Sequence, residues 1–337
     1  MLFVGNALLD VSVECDISLL SKYKLTLDES SVFEKWQLPL LDEVINNPTA
    51  IVSPARLASL LLKKQFGKSN CVHFLGTIGN DNFGKILRER IEGTGVNALY
   101  DVNEKEPTGV AVGLITSDHR TLVANLGATK TFHSEFILND NVQKAIENSR
   151  LIHIEGFFVS HSPQVSLKLV ENFNSNGKIV SIGLSAKYVV SDDFDKVYAL
   201  MPFTDIIFGN YGEARTFVKT LLKSEDEIDI ENVAQKILEI PKNKSFTLNG
   251  RETKKLVFIT GGPKPLVVGI KNADNSCSIH KYEIPKVEIK GDTIGAGDAF
   301  LAGVIVKLSQ NSTLEAAINN GIKTAAECCL HRGCFIE

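Results

Sequence analysis

The sequence predicts an α/β fold with a doubly wound, mostly parallel sheet and helices on both of its faces. Short apolar or β-branched runs alternate with longer helical patterns along almost all 337 residues, which is typical of this class. Several of the apolar runs show no alternation with polar residues, as expected for strands that are covered on both faces. The composition, 44% hydrophobic and 23% charged, is that of an ordinary globular chain.

The predicted strands are short apolar segments. In chain order they are residues 2–4, 72–75, 110–115, 151–154, 179–184, 205–208, 256–260 and 266–270. Residues 11–33 and 108–125 fit the alternation poorly, and the second stretch predicts a hairpin that turns at 117–119. We therefore expect one domain over residues 1–337, with a small, discontinuous, β-rich lid formed by about 11–50 and 107–126.

Helix starts are marked by capping residues. Ser53-Pro54 and Ser162-Pro163 each combine an N-cap with proline at the first helical position. Ser312 and Glu315 have the spacing of a capping box ahead of another helical pattern. The polar stretch 241–255 is predicted to be a surface loop or an insertion.

Charge and apolar patterning exclude several classes of partner. The 36 Lys and Arg against 40 Asp and Glu give a net charge of −4, which argues against nucleic acid as a partner. No run approaches the 18 or more apolar residues of a membrane span, so no membrane partner is expected. The six cysteines form no C-x-x-C pair, which indicates a reduced, cytoplasmic protein and leaves the nucleus open as a further location.

One segment contains the residues best suited to catalysis. Gly291 to Phe300 has the sequence GDTIGAGDAF and precedes an apolar helical run. Glycines directly before a helix leave its first backbone N–H groups uncovered, and these groups together with the helix dipole bind anions. Asp298 would lie in the first helical turn, where a carboxylate can accept a proton from an attacking hydroxyl. The alternative is a plain tight turn followed by a carboxylate that the dipole stabilises.

Common nucleotide-binding loops do not explain this segment. It lacks the G-x-x-x-x-G-K-[ST] of a P-loop, and Phe300 stands where G-x-G-x-x-G requires its last glycine. Asp292 to Asp298 instead resembles the C-terminal signature of the ribokinase-like (PfkB) carbohydrate kinases. Further segments resemble, in the same order along the whole chain, the members of that family that phosphorylate adenosine: residues 5–10, 76–84, 107–109, 120–126, 156–158, 209–215 and 332–334.

The resemblance implies a reaction. Such a kinase transfers the γ-phosphate of ATP, with Mg²⁺ as cofactor, to the 5′-hydroxyl of adenosine or a related nucleoside, and it acts as a monomer. Asp298 matches the family's catalytic base. Arg120, on the predicted lid hairpin, matches an arginine that meets the transferring phosphate when the lid closes.

The resemblance also implies how ATP and magnesium are bound. The residues that match the anion hole for the γ-phosphate are Gly295, Ala296 and Gly297. Asn210 and Glu213 match an N-x-x-E motif that organises Mg²⁺ through water, so no direct metal ligand is expected. The same two residues could instead cap the helix that starts near Gly212, and the two roles are compatible.

The nucleoside site is implied in the same way. Asp10 matches the carboxylate that binds ribose hydroxyls, and Asn6 lies beside it. Phe158, ahead of Phe157, is expected to stack on adenine. Each residue also has a structural interpretation: Asp10 as a strand-end carboxylate, the two aromatic rings as core residues, and Arg120 as a solvated surface charge.

The chain departs from the family where the substrate motif A-G-G-x-x-x-N is expected. Ala50 to Arg56 reads AIVSPAR, so both glycines and the asparagine are absent. β-Branched residues avoid backbone angles that glycine adopts, and losing two or three ribose hydrogen bonds would weaken binding by roughly ten-fold to a thousand-fold. Ile294, where the family more often has asparagine, is a milder change. Two alternatives stay open: a weak or inactive relative with a regulatory binding role, and a kinase for another nucleoside or a sugar.

Overall fold

The computed structural model describes residues 1–27, 29–47, 51–53, 72–117, 119–248, 250–287, 293 and 295–330. Within them, two sheets are built from the following strands: β1 (Leu2–Val4), β2 (Leu8–Glu14), β3 (Ser30–Val32), β4 (Ile51–Ser53), β5 (His73–Gly79), β6 (Asn97–Asn103), β7 (Gly109–Thr116), β8 (His119–Asn125), β9 (Leu151–Glu155), β10 (Ile179–Gly183), β11 (Ile206–Asn210), β12 (Phe246–Leu248), β13 (Arg251–Gly261), β14 (Lys264–Asn272) and β15 (Cys277–Tyr282).

Helices connect most of these strands. The α-helices of the described residues are α1 (Ile17–Lys22), α2 (Pro39–Ile45), α3 (Asn82–Gly93), α4 (Asp140–Asn148), α5 (Gly156–His161), α6 (Pro163–Ser175), α7 (Lys187–Asp192), α8 (Phe194–Tyr198), α9 (Tyr211–Leu222), α10 (Ile230–Glu239), α11 (Ala296–Ser309) and α12 (Leu314–Cys328). Short 3₁₀ helices span Lys35–Gln37, Gly127–Lys130 and Ser134–Leu138.

The main sheet has the strand order β15-β14-β13-β11-β10-β9-β1-β5-β6, with β12 paired to β13. Strands from β13 to β6 along this order are parallel, and β12, β14 and β15 add antiparallel edges. Alternate residues of β1 enter two separate cores, Phe3 on one face and Leu2 and Val4 on the other. Both faces of the sheet are therefore covered, which explains its apolar strands. The predicted fold class is confirmed.

A second sheet has the order β3-β8-β7-β2-β4. β7 and β8 form an antiparallel hairpin, and β2 runs parallel to β7. Short connections join it to the main sheet: Gly5 to Ala7 lead from β1 to β2, and residues 104–108 lead from β6 to β7. The turn of the hairpin includes Ser117 with a positive φ of 55°.

Helix starts agree with the sequence in part. α6 begins at Pro163 after Ser162, as predicted. The start of α12 differs by one residue: Thr313, not Ser312, is the N-cap and accepts a hydrogen bond from the N–H of Ala316 at 3.2 Å. The helix predicted after Ser53-Pro54 lies outside the described residues.

Residues 241–255 were expected to be a loop, and this prediction is wrong. They contain β12 and the beginning of β13, which pair antiparallel. Thr253 is buried and Lys255 is fully buried, so alternate residues at the start of β13 face the protein interior. Among the described helices, none is both long and apolar enough to cross a membrane.

Candidate active site

The candidate site is a cleft of about 280 Å³ between the two sheets. One wall is the carboxyl edge of the main sheet, where β9, β10, β11 and β13 end. Open α/β sheets bind ligands at this edge. The other wall comes from the second sheet through Leu8, Asp10, Ala111 and Leu122. Both sheets therefore contribute to one cleft, and the chain crosses from one to the other beside it.

The crossing places two of the predicted residues in the cleft. Asn6 follows β1 and is only 6% exposed, while Asp10 lies on β2 and is half-buried. Both line the cleft. The Oδ1 atom of Asn6 is buried and has no hydrogen-bond partner among the described residues.

A carboxyl group that the sequence analysis did not single out faces this crossing. Glu155 ends β9, and its Oε2 accepts a hydrogen bond from the backbone N–H of Asn6 at 3.1 Å. The fit against Gly5 is close, because a Cβ atom on Gly5 would lie 2.3 Å from the same oxygen. A side chain at position 5 would therefore force the Glu155 carboxyl group to shift.

The glycine-rich segment forms the start of helix α11. Gly295 is its N-cap and has a left-handed φ of 72°, which a residue with a side chain rarely adopts. Asp298 lies in the first helical turn and lines the cleft. Gly297 also lines the cleft, and a Cβ atom there would meet nothing within 4 Å. The helix start therefore faces open space beside a carboxylate.

Two neighbouring carboxyl groups are affected by Asp298. The pKa of Glu155 is raised to about 8, mainly by burial and then by the charges of Asp298 and, less, Asp10. Burial likewise raises the pKa of Glu213 to about 7, with Asp298 adding to the shift. The charge of Asp298 thus disfavours ionisation of both glutamates that line the cleft with it.

Asn210 and Glu213 form a capping box at the start of α9. The N–H of Glu213 donates to Asn210 Oδ1 at 2.9 Å, and the N–H of Asn210 donates to Glu213 Oε2 at 2.9 Å. The Asn210 amide also donates to Glu213 Oε1 at 2.6 Å. The capping role is therefore confirmed, and both side chains are held rigidly at the cleft.

The structure corrects the choice between the two phenylalanines. Phe158 is only 1% exposed and packs edge-on against Phe132, with ring centroids 5.2 Å apart. Phe157 lines the cleft, and its ring centroid lies 6.2 Å from that of Tyr188. In the first turn of α5, adjacent residues point about 100° apart, so one ring enters the core and the other faces the ligand space.

A second, apolar cavity of about 570 Å³ adjoins the cleft. The two spaces share Thr260, Gly297 and Phe300. Its remaining walls are mostly apolar and include Leu266, Ile284, Pro285, Val287, Ile322, Ala325, Ala326 and Cys329. The start of α11 thus separates a polar cleft from a cavity that would suit a flat, apolar group.

Several predicted residues cannot be placed in full. Arg120 lies on β8, paired with Ile115, and its predicted role stays a prediction. Ile51 and Val52 lie on β4, where the backbone pairs antiparallel with β2 and Ser53 is opposite Asp10. Arg56, Asp292, Ile294 and residues 332–334 lie outside the described residues.

Sequence analysis missed His153 and Ser185 as well as Glu155. His153 is 1% exposed, bonded to Ser181 at 2.9 Å, and burial lowers its pKa to about 3, so it lines the cleft as a neutral ring. Ser185 accepts a hydrogen bond from the N–H of Gly156 at 2.8 Å. The only available signal was position, because each lies at or near the carboxyl end of a predicted strand.

Comparison with known proteins places this geometry in a family. The model of the pfkB family carbohydrate kinases matches residues 55–336. Adenosine kinase 1 and adenosine kinase 2 of Arabidopsis thaliana are 30% and 29% identical to this chain, each over 99% of it and over 95% and 94% of their own lengths.

A solved structure agrees over the whole chain. The adenosine kinase of Anopheles gambiae, in complex with P1,P4-di(adenosine-5) tetraphosphate, is 28% identical, with a TM-score of 0.86 over 99% of this chain and 96% of its own. The sheet order, the glycine-rich helix start and these matches lead to one conclusion. The chain belongs to the pfkB family of carbohydrate kinases.

Proposed function

We propose that this protein transfers the γ-phosphate of ATP to the 5′-hydroxyl of adenosine, giving AMP. The observation that supports this best is the position of Asp298. It lies in the first turn of α11, behind the left-handed Gly295, in the same cleft as Asp10. Relatives named adenosine kinases, similar over nearly their whole length, support the choice of acceptor.

In this proposal, the chain acts mainly by positioning and by stabilising charge, as is usual for phosphoryl transfer. Asp298 accepts the proton of the 5′-hydroxyl as the hydroxyl oxygen attacks the γ-phosphorus and ADP leaves. The backbone N–H groups of residues 295–297 stabilise the negative charge on the transferring phosphate. Asp10 and Asn6 hold the sugar, and Phe157, not Phe158, offers a ring to the purine.

In this proposal each substrate binds in a cavity of its own. The polar cleft takes the nucleoside, and the apolar cavity beyond Gly297 takes the base of ATP. The phosphates then extend past the start of α11 toward Asp298. Because all of these residues belong to one chain, a monomer would have a complete site.

The side chains of Asn210 and Glu213 suit a Mg²⁺ ion that is bound through water molecules. The two side chains already bond each other, so they can orient water but have little freedom to become direct ligands. The described lining residues of the cleft include four carboxyl groups and neither lysine nor arginine, so bound phosphates require an added cation. When bound, Mg²⁺ would neutralise phosphate charge there.

We further propose that the second sheet is a lid. It forms one wall of the cleft through Leu8, Ala111 and Leu122, and Arg120 lies on its hairpin. Closure would bring Arg120 to the transferring phosphate and exclude water, which suppresses ATP hydrolysis.

The direct test measures phosphate transfer from MgATP to adenosine by wild type and Asp298→Asn. Loss of the general base should lower kcat by about 10² to 10⁴-fold, while ATP binding persists. Asp195→Asn is a matched control, because Asp195 is an exposed aspartate in the first turn of α8, outside the cleft. Full activity of Asp298→Asn would rule out this mechanism.

One observation favours a second candidate acceptor. The segment that replaces the family's di-glycine forms β4 and pairs directly beside Asp10. The backbone there is an extended strand, so sugar binding could differ from that of the family. We would therefore assay other nucleosides and free sugars in parallel with adenosine. Transfer to one of these alone would identify another acceptor, and ATP binding without any transfer would indicate a regulatory protein.

A further inference from the structure

We propose that Lys187 is a phosphate-binding residue for the donor nucleotide, which it meets at the start of helix α9, beside the capping box of Asn210 and Glu213. The inference rests on the proposed function. It assigns to the phosphates a positive charge of this chain that is separate from Mg²⁺ and from Arg120 on the second sheet.

The position of Lys187 is the first argument. It is the first residue of α7, which packs against α9. Its side chain reaches the start of α9, where a Cβ atom on Gly212 would lie 2.7 Å from the Cε and 3.5 Å from the Nζ of the lysine. The same Cβ would lie 3.2 Å from Asn210 Oδ1. Because residue 212 has no side chain, the lysine can cross the helix start and place its ammonium group beside the Asn210 amide.

Open space adjoins this point. Gly212 lines a cavity of about 470 Å³ that shares Asn210 and Thr260 with the polar cleft. Thr260 also lines the apolar cavity proposed for the base of ATP. The three spaces therefore meet at Thr260. Phosphates that extend from the apolar cavity toward Asp298 pass this junction, and one of its walls is the helix start that Lys187 crosses.

The electrostatics of the cleft show that the lysine is close enough to act there. Burial raises the pKa of Glu213 to about 7, and the charge of Asp298 raises it further. The hydrogen bond from the Asn210 N–H and the charge of Lys187 oppose this shift. The ammonium group thus acts on a carboxyl group that lines the same cleft as Asp298.

Lys187 also has its charge available for a ligand. Its side chain is exposed, and among the described residues it forms no hydrogen bond and no ion pair. The acids at the far end of α7 have other partners: Asp193 lies 2.6 Å from the Nζ of Lys196, and Asp192 accepts from the Ser191 hydroxyl at 2.7 Å. No acid of its own helix therefore competes with a phosphate for this lysine.

The chemistry of the side chain suits this role. A lysine has three N–H donors on a flexible stem, and a hydrogen bond from an ammonium group to a phosphate is stronger than one between neutral groups. The carboxyl groups of the cleft repel phosphates, so an added positive charge at the junction lowers the electrostatic cost of binding. Because Lys187 is exposed, salt should screen its contribution.

The test measures equilibrium binding, so that turnover is not required. MgATP and, separately, adenosine are titrated into wild type, Lys187→Met and Lys187→Arg at low salt and at 0.5 M salt. Methionine keeps most of the stem without the charge, and arginine keeps the charge. Lys187→Gln is a second neutral variant in case methionine disturbs folding. Lys168→Met is the matched control, because Lys168 is an exposed lysine of α6 outside the cleft.

At low salt, Lys187→Met should weaken MgATP binding about five-fold or more. It should change adenosine binding by less than about two-fold, because adenosine has no phosphate. Lys187→Arg should restore most of the MgATP affinity. The difference between wild type and Lys187→Met should shrink to about two-fold or less at 0.5 M salt, and Lys168→Met should bind both ligands as wild type does.

Three results would overturn the inference. The first is equal MgATP affinity of wild type and both neutral variants while adenosine is still phosphorylated, in which case the proposed function stands alone. The second is an equal loss for MgATP and adenosine in the neutral variants, or failure of both variants to fold, which would make Lys187 structural. The third is wild type that binds no MgATP, which would remove the proposed function as well.

Discussion

At the scale of single residues, adjacent side chains in this cleft have separate tasks. Phe157 faces the ligand space and Phe158 the core. Phe158→Ala should destabilise the protein by about 3 to 5 kcal/mol, because it removes a fully buried ring. Phe157→Ala should leave stability nearly unchanged and raise KM for adenosine by roughly 5- to 100-fold, as expected for the loss of a stacked ring.

The measurement combines urea denaturation with steady-state kinetics on both variants. Each variant serves as the control for the other, since they differ by one position in the same turn. The opposite pattern, with Phe158→Ala affecting KM alone, would restore the assignment made from the sequence.

The raised pKa of Glu155 also makes stability depend on pH. A glutamate in the unfolded chain titrates near 4.5, whereas this one has a pKa of about 8, so the folded state binds more protons between these values. Stability contributed at this site therefore falls as pH rises from 4.5 to 8. Glu155→Gln removes the titration, and its Tm should exceed that of wild type at pH 8.5 and approach it at pH 5.

Thermal melts across this range, with Glu171→Gln as an exposed control on α6, test the sign. A Tm difference between Glu155→Gln and wild type that does not change with pH would show that the carboxyl group is solvated in the folded state.

Sequence predicted the residues whose role is local. Asn210 and Glu213 lie three residues apart and cap one helix, and Asp298 follows glycines at the start of another. Their short spacing along the chain was enough to identify these positions. Glu155 was not predictable, because its significance comes from Gly5 and Asn6, about 150 positions away. The choice between Phe157 and Phe158 failed because both are equally apolar and only the rotation of α5 separates them.

At the scale of elements, one carboxylate joins a helix to the strand connection behind it. Asp81 accepts from the N–H of Gly84 at 2.8 Å as the N-cap of α3. It also accepts from the Thr108 N–H at 2.7 Å and hydroxyl at 2.6 Å, just before β7 begins. We expect Asp81→Ala to cost about 2 to 4 kcal/mol, more than a cap alone provides.

The comparison variant is Asp229→Ala, which removes an exposed cap that accepts hydrogen bonds from Asn232 on α10. This loss should cost about 1 kcal/mol. Urea denaturation of both measures the difference. Equal losses would mean that the bonds to Thr108 add nothing to stability.

Strands were predicted correctly where an uninterrupted run of apolar residues marked them. β1 was found with its observed bounds, and β9 and β10 to within one residue. β6 and β15 were missed, because polar residues interrupt both and their apolar positions are decided by pairing with distant strands. β12 and the start of β13 were missed for the same reason. They lie in a polar stretch, and the packing around Lys255, not its residue type, decides that this lysine is buried.

At the scale of the whole molecule, both sheets line the cleft, short connections join them, and buried residues of both, such as Val11 and Phe74, belong to one apolar cluster. If the second sheet closes as proposed, adenosine together with a non-hydrolysable ATP analogue should slow amide exchange in β2, β7 and β8. The central strands β9 and β10, already buried, should change little. Hydrogen exchange with each ligand alone provides the control, and unchanged exchange in the second sheet would exclude closure.

The contact between Gly5 and Glu155 restricts how this chain can change over time. A methyl group at position 5 would occupy the space of the Glu155 carboxyl group, so Gly5→Ala alone requires that carboxyl group to move. After Glu155 is shortened, the same substitution meets free volume. The two positions are therefore coupled: a side chain at position 5 is accommodated most easily when residue 155 is shorter than glutamate.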